Sequence, residues 1–275
     1  MKSAKFDYVV ANTVAEAAAL LTSAGASAAI IAGGQSLVPL LSLRVAAADV
    51  LVDISGIAAL KTTRETPAGL LIGALTTHAD IEDGKIPDLF GGLLRDVAAG
   101  ISYRAIRNYG TIGGSIALAD PAADWPVCLM ALGADVCIAA GETTRSQPIA
   151  NFIRGQYTTA LGKNEIIVGL DVPRPDARFS WGFRKVVRKS GAFADSIAVV
   201  VQRNGNVSAA LGGAVPRPFL LAATANRLDD GKTSDGALRT AITQDLTAQV
   251  PQADAYLMRL HTSTILHAVR EMRSR

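Results

Sequence analysis

The sequence has almost no cysteine: only Cys128 and Cys137, both in apolar surroundings and not in a Cys-x-x-Cys pattern. This excludes a disulfide framework and an iron–sulfur cluster held by this chain, and predicts two buried thiols. The chain also lacks a dominant charge, since 27 basic and 24 acidic residues leave a net +3. Its basic residues are scattered apart from short clusters such as Arg184-Lys185 and Arg188-Lys189, so nucleic acid is not expected as a partner. Long hydrophobic runs are missing too. Lys5, Asp7 and Glu16 interrupt the N-terminal stretch and no later segment is a charge-free span, which predicts a soluble, cytoplasmic protein with neither signal core nor membrane helix. Histidine is scarce. His261 and His267 stand six apart rather than on adjacent helical turns, so no metal site is expected. His78 follows Thr76-Thr77 at a strand-to-helix junction, where capping or packing is the ordinary role and acid–base catalysis the rarer one.

What is present is a chain of 275 residues, 49% hydrophobic, long enough for one large domain or two smaller ones. Strand-like runs ("AAIIA", "VLVDI", "LLIGAL", "ADVCIAA", "EIIVGLDV") recur between glycines and short helical stretches, which predicts a mixed α and β protein. Thr13-Val14-Ala15-Glu16 has capping-box spacing and opens a helix that should end near Gly25. The Pro-rich, charged "DVPRPDARFS" (171–180) is the expected domain boundary. Beyond it, "WGFRKVVR" and "SIAVVVQRNGNVSAALGGAV" read as antiparallel strands with a turn at Asn204-Gly205, and the chain from about Thr233 has helical spacing.

Two glycine loops carry the chemistry: Ala32-Gly33-Gly34-Gln35-Ser36, and Thr111-Ile112-Gly113-Gly114-Ser115. Adjacent glycines let peptide N–H groups approach a ligand, and a concave array of such donors suits a diphosphate without needing a lysine. Gln35, Ser36, Thr111 and Ser115 add polar side chains at the loop edges. Neither loop has the P-loop pattern Gly-x-x-x-x-Gly-Lys-Ser/Thr, and neither opens a helix with Gly-x-Gly-x-x-Gly. Taken singly, each pair also fits a tight turn between packed strands.

Together, "AGGQSLVPLLSLR" and "IRNYGTIGGSIALADPAADWP" resemble the flavin-binding medium subunits of the molybdenum hydroxylase family, the xanthine dehydrogenase and carbon monoxide dehydrogenase group. "LVDIS", "IGALTTHADI", "FIRGQYTTAL" and "FRKVVRKSGAFAD" follow in the family's order, so the resemblance covers most of the chain. It implies an α+β fold: a two-subdomain FAD-binding domain of the PCMH type over residues 1–173, divided near 55–60, then a small antiparallel sheet with helices over 174–275 of the CO dehydrogenase flavoprotein C-terminal type. It implies that Ala32, Gly33, Gly34, Gln35, Ser36 and Leu37, with Thr111, Ile112, Gly113, Gly114 and Ser115, hold the FAD diphosphate region. Ser115 stands where many relatives have asparagine. Asp124 matches a carboxylate that hydrogen-bonds the cofactor, while Asp120 fits a structural role before Pro121. Ile167 and Lys185 fall in regions of further flavin contact, with Arg184 an alternative to Lys185. Phe193 stands where many relatives have tyrosine, to pack on the flavin or to serve as a core residue.

The resemblance also implies an electron-transfer subunit of a multi-subunit oxidoreductase. A small subunit with two [2Fe-2S] clusters would supply electrons, and a large subunit with a molybdopterin-type cofactor would hydroxylate the substrate, so that this chain alone would not choose it. The family assembly is a dimer of heterotrimers. A self-contained FAD-dependent oxidase or dehydrogenase is the alternative, with His78 as its acid–base candidate. A cofactor-free module with purely structural glycines is the third.

Overall fold

The computed structural model describes residues 2–24, 27–229 and 233–275. The fold is α+β and contains three principal sheets. Strands β1 (Asp7–Val10), β2 (Ala28–Ile31) and β3 (Val50–Asp53) form a parallel sheet in the order β1-β3-β2. Parallel neighbours need crossovers, supplied here by helix α1 (Val14–Ala24) and the short α2 (Leu37–Ser42). Ala17, Ala18 and Leu21 of α1 cover one face with Val52, while Leu41 and Ala48 close the other over Leu51. Thr13 Oγ1 caps α1 by accepting from the Glu16 N–H at 3.1 Å. The returning Glu16 carboxylate takes the N–H of Asn12, at 2.7 Å, and so binds one residue earlier than a capping box requires. Gly25, the expected helix stop, lies outside the described residues.

The second sheet is antiparallel throughout. It comprises β4 (Arg64–Glu65), β5 (Gly69–Gly73), β6 (Asp135–Ala140), β7 (Thr143–Pro148) and, after the hairpin β8 (Ile153–Gly155) and β9 (Thr158–Thr159), the long β10 (Ile166–Pro173). Their order is β4-β5-β10-β6-β7. Between β5 and β6 the chain runs through α3 (His78–Glu82), α4 (Leu93–Ala99), α5 (Arg104–Arg107), α6 (Ile112–Leu118) and α7 (Asp124–Ala131). A single turn, α8 (Ile149–Phe152), follows β7.

After Pro173 the chain enters a third sheet of β11 (Ser180–Val186), β12 (Ser196–Arg203), β13 (Asn206–Gly213) and β14 (Phe219–Leu220), in that order. Asn204 and Gly205 adopt φ of 53° and 81° and form the expected hairpin turn, pairing Arg203 with Asn206. Helices α9 (Ala222–Asp229), α10 (Asp235–Gln249) and α11 (Ala255–Ser274) complete the chain.

Every residue of α7 is buried, because this helix packs between the second sheet and the inner face of the third, within one core that includes Val136, Leu170, Ile197 and Val199. A helix apolar on all sides belongs inside. Cys128 lies on it, fully buried, and burial pushes its thiol above the ordinary range. Cys137, expected to be buried, is only partly so, since it lies on β6 between the core-facing Val136 and Ile138 and so points to the sheet's other face.

The outer face of the third sheet packs against α11 through Gly182. A Cβ there would stand 1.8 Å from the Ala268 carbonyl oxygen and 2.8 Å from the Met272 nitrogen. Gly182→Ala is expected to lower stability by about 2 kcal/mol, as overpacking against backbone does. Urea unfolding checks it; an unchanged midpoint would contradict the close packing.

Candidate functional site

The first glycine loop leaves the C-terminal end of β2, the end at which open α/β sheets bind ligands. Gly34 has φ of +71°, a left-handed conformation that favours glycine. Gly33 is required for another reason. A Cβ on it would lie 1.8 Å from the Tyr109 carbonyl oxygen and 3.1 Å from Gly110 Cα, so the loop is pressed onto the backbone that leads into the second glycine loop. The amide N–H groups of Gly33, Gly34, Gln35 and Ser36 meet no acceptor among the described residues. The Gln35 side chain braces the turn by donating to the Gly33 carbonyl at 2.8 Å. Ala32, Gly33, Gly34, Gln35 and Leu37 are half-buried and Ser36 is exposed, so this donor row is accessible.

The second loop is built differently. Thr111 caps α6, its hydroxyl accepting from the Gly114 N–H at 3.1 Å. The Ile112 N–H donates to Thr76 O at 3.0 Å, and that of Gly113 to Ala74 O at 2.9 Å. Ile112 is fully buried, and a Cβ on Gly113 would lie 2.6 Å from Ala74 Cβ. The structure therefore corrects the expectation of an N–H cradle here: the donors of Ile112 and Gly113 are consumed in joining α6 to the strand end. Gly114 and Ser115 remain accessible, exposed and half-buried respectively.

Asp124, the first residue of α7, is buried to 5% exposure. Lys185 of β11 donates to its Oδ2 at 2.9 Å and to the Gly100 carbonyl at 3.0 Å. Burial raises the Asp124 carboxyl to about 6 despite the opposing Lys185 charge, and its Oδ1 has no partner. Buried carboxylate oxygens are rarely left so. Arg184, the alternative to Lys185, is exposed and takes no part. Asp120 accepts from the Ala122 N–H at 2.9 Å and so shapes the turn after Pro121.

The Ile167 side chain packs in the main core, where β10 pairs with β6 opposite Ile138, one residue before Val168, whose carbonyl accepts the Ala74 N–H beside the second loop. Phe193 is not a core residue, being 67% exposed on the connection between β11 and β12. That connection leans on Tyr103, whose hydroxyl donates to Ser190 O at 3.2 Å and whose ring lies 2.7 Å from the place a Gly191 Cβ would take.

Tyr103, Tyr109 and Gly100 escaped sequence reasoning. Their signal was position: residues 100–115 form one stretch that touches the first loop, Lys185 and the Phe193 connection. Arg107 holds this stretch by donating to Ile101 O and Ser102 O and pairing with Glu82. His78 lies beneath it, its Nδ1 accepting from Trp125 Nε1 at 3.0 Å, and burial lowers its titration to about 4. It is a neutral packing residue. Among the described residues no group of His, Cys, Asp and Glu side chains could hold a metal ion.

Residues 4–175 match the family model of the FAD binding domain in molybdopterin dehydrogenase. The chain belongs to this family. Relatives of this molybdopterin dehydrogenase FAD-binding chain include the 6-hydroxypseudooxynicotine dehydrogenase complex subunit alpha of Paenarthrobacter nicotinovorans, 40% identical over 70% of this chain and 66% of that protein. The glyceraldehyde dehydrogenase medium chain of Sulfolobus acidocaldarius is 36% identical, the match covering 78% of each. Carbon monoxide dehydrogenase from Hydrogenophaga pseudoflava superimposes with a TM-score of 0.92 at 30% identity, over 100% of this chain and 99% of that one. These relatives are dehydrogenase components, and this family member is a flavoprotein subunit of the oxidoreductase class. No helix among the described residues is long and apolar enough to cross a membrane.

Proposed function

We propose that the chain holds FAD across its two glycine loops and relays electrons within a multi-subunit molybdenum hydroxylase. The observation that carries this reading is the row of unpaired amide donors at Gly33, Gly34, Gln35 and Ser36, fixed against the Tyr109–Gly110 backbone. Such a row suits a diphosphate, which needs several donors at short range and no acid or base. Ala32, Leu37, Thr111, Gly114 and Ser115 would line the same site, Ile112 and Gly113 supporting it from below. The unpartnered Asp124 Oδ1 fits a hydroxyl or ring N–H of the cofactor, with Lys185 holding the carboxylate in place. Phe193 would offer its exposed ring as an apolar face.

Bound FAD supplies one- and two-electron chemistry. The chain's own residues bind, orient and shield; none is required as nucleophile or proton donor. In this reading electrons come from the [2Fe-2S] clusters of a small subunit and leave to an external acceptor, while a large molybdenum subunit hydroxylates the substrate. Residues 1–173 make up the FAD-binding part, divided near 55–60, and 174–275 close over it. The assembly is a dimer of heterotrimers in the cytoplasm. A stand-alone flavoenzyme is disfavoured because His78, its acid–base candidate, is buried behind Trp125 and Gly110.

Rapid-mixing spectroscopy tests the relay. In the co-purified complex, substrate should reduce cluster and flavin absorbance together, whereas the isolated FAD-loaded chain should stay oxidised. Reduction of the isolated chain by the same substrate would favour the stand-alone enzyme.

A further inference from the structure

Several arginines of this surface face acids. Arg104 meets Glu82 and Asp83, Arg107 meets Glu82, Arg145 meets Glu165 and Arg174 meets Glu65. The groove between α10 and α11 gathers three that do not. It has a volume of about 600 Å³ and is lined by Arg239, Arg259, His267 and Arg270, with no acidic side chain. Among the described residues none of the three guanidinium groups has an ion pair or hydrogen bond, and all three side chains are exposed.

Three acids at these helices are committed elsewhere. Asp245 turns inward and accepts from the Ala223 and Thr224 N–H groups and the Thr224 hydroxyl. Asp254 caps α11 by accepting from the Leu257 N–H, and Glu271 accepts from Phe183 N–H and Arg275. Asp235, at the start of α10, pairs with none of the three arginines. Positive charge therefore collects in one groove although the whole chain carries only +3.

We propose that this groove docks an acidic segment of a partner polypeptide. Guanidinium groups bind carboxylates bidentately, and exposed unpaired ones are ready to do so. The span decides against a single small anion. Arg259 and Arg270 are eleven residues apart on one helix, about 16 Å along its axis, beyond the reach of one phosphate and suited to successive carboxylates on an extended chain. Met258 and Leu266 add apolar wall to the same groove, which side-chain stems and backbone of a peptide can cover.

The probe is a fluorescein-labelled oligoglutamate peptide, titrated onto the full chain by anisotropy. Binding should weaken about tenfold or more in Arg259→Glu/Arg270→Glu, and fall with added salt as exposed charges are screened. Arg239→Glu, on the other helix, should weaken it independently. Arg64→Glu, at an exposed site on β4, should leave it unchanged. Circular dichroism on each variant confirms the fold, which these exposed, unpartnered side chains do not support. Equal loss in Arg64→Glu and the groove variants would overturn the proposal as non-specific attraction. So would displacement of the peptide by inorganic phosphate at matched ionic strength, which would mark a small-anion site, or groove-dependent binding to phosphatidylserine vesicles or single-stranded RNA in preference to the peptide.

Discussion

Gly33→Val is expected to yield a folded chain that no longer retains FAD. The added Cβ would start 1.8 Å from the Tyr109 carbonyl oxygen, a backbone atom that no rotamer change removes. The two loops must separate by more than an ångström, and the donors of Gly33, Gly34, Gln35 and Ser36 shift together. The parallel sheet beneath rests on its own small cores around Val52 and Leu51, away from this contact, so the stability loss should stay near 1–3 kcal/mol, as for other overpacked sites. FAD retained after gel filtration should fall at least about tenfold, the effect expected of losing roughly 1.4 kcal/mol or more of binding. Gly113→Val should behave in the opposite way. Its Cβ meets Ala74 inside the protein, so stability falls first and cofactor loss follows unfolding. A Gly33→Val chain that holds FAD at the wild-type level would contradict the cradle.

Lys185→Met is expected to destabilise the cofactor-free chain by about 3 kcal/mol or more near neutral pH, because one partner of a buried ion pair is removed and the Asp124 carboxylate is left alone. The penalty should shrink on acidification, since a protonated Asp124 needs no counter-charge. Asp124 itself provides a second check. Its carboxyl titrates at about 6 in the folded chain against 3.8 when unperturbed. The folded state therefore binds the proton more tightly, and this group's contribution is complete below pH 3.8 and lost as pH rises through about 6. His78 runs the other way. Burial lowers it from 6.5 to about 4, so its contribution is complete above pH 6.5 and lost as pH falls toward 4. Each effect is on the order of 3 kcal/mol across its window. Relative to wild type, Asp124→Asn should gain stability as pH rises from about 4 to 6, and His78→Gln should lose it. Urea midpoints over that range measure both; parallel curves would mean that neither group is held as described.

Much of the fold was legible in the sequence because its buried strands are short apolar runs bounded by glycine, as β2, β3, β5, β6 and β10 are. Strand β7 was not, since its residues Thr143–Pro148 are almost all exposed and polar at the sheet edge. Nor was β1, whose Tyr8 and Val10 face outward so that no alternation marks it. The helices from α3 to α6 span only four to seven residues, too few to show a 3.6-residue period. At the site, both glycine loops, Asp124 and Lys185 stood out in the sequence, but the ion pair between the last two did not. The different uses of Gly33 and Gly113 did not. Both are glycines forced by close contact, but one contact joins two surface loops and the other lies within a core, a distinction made by residues 74 and 109 rather than by the loops themselves. Nor did the sequence decide between the two roles open to Phe193; a connecting segment exposes it, which removes the core alternative.

The most direct measurement compares the affinity of the purified chain for FAD with that for riboflavin, followed by quenching of flavin fluorescence, with ADP as competitor. The two flavins share an isoalloxazine ring and differ in the diphosphate and adenosine that the first loop is proposed to hold. FAD should bind at least about a hundredfold more tightly, a difference near 2.7 kcal/mol, and ADP should displace it. Equal affinities, with no competition by ADP, would mean that the unpaired amides of Gly33 to Ser36 hold no diphosphate.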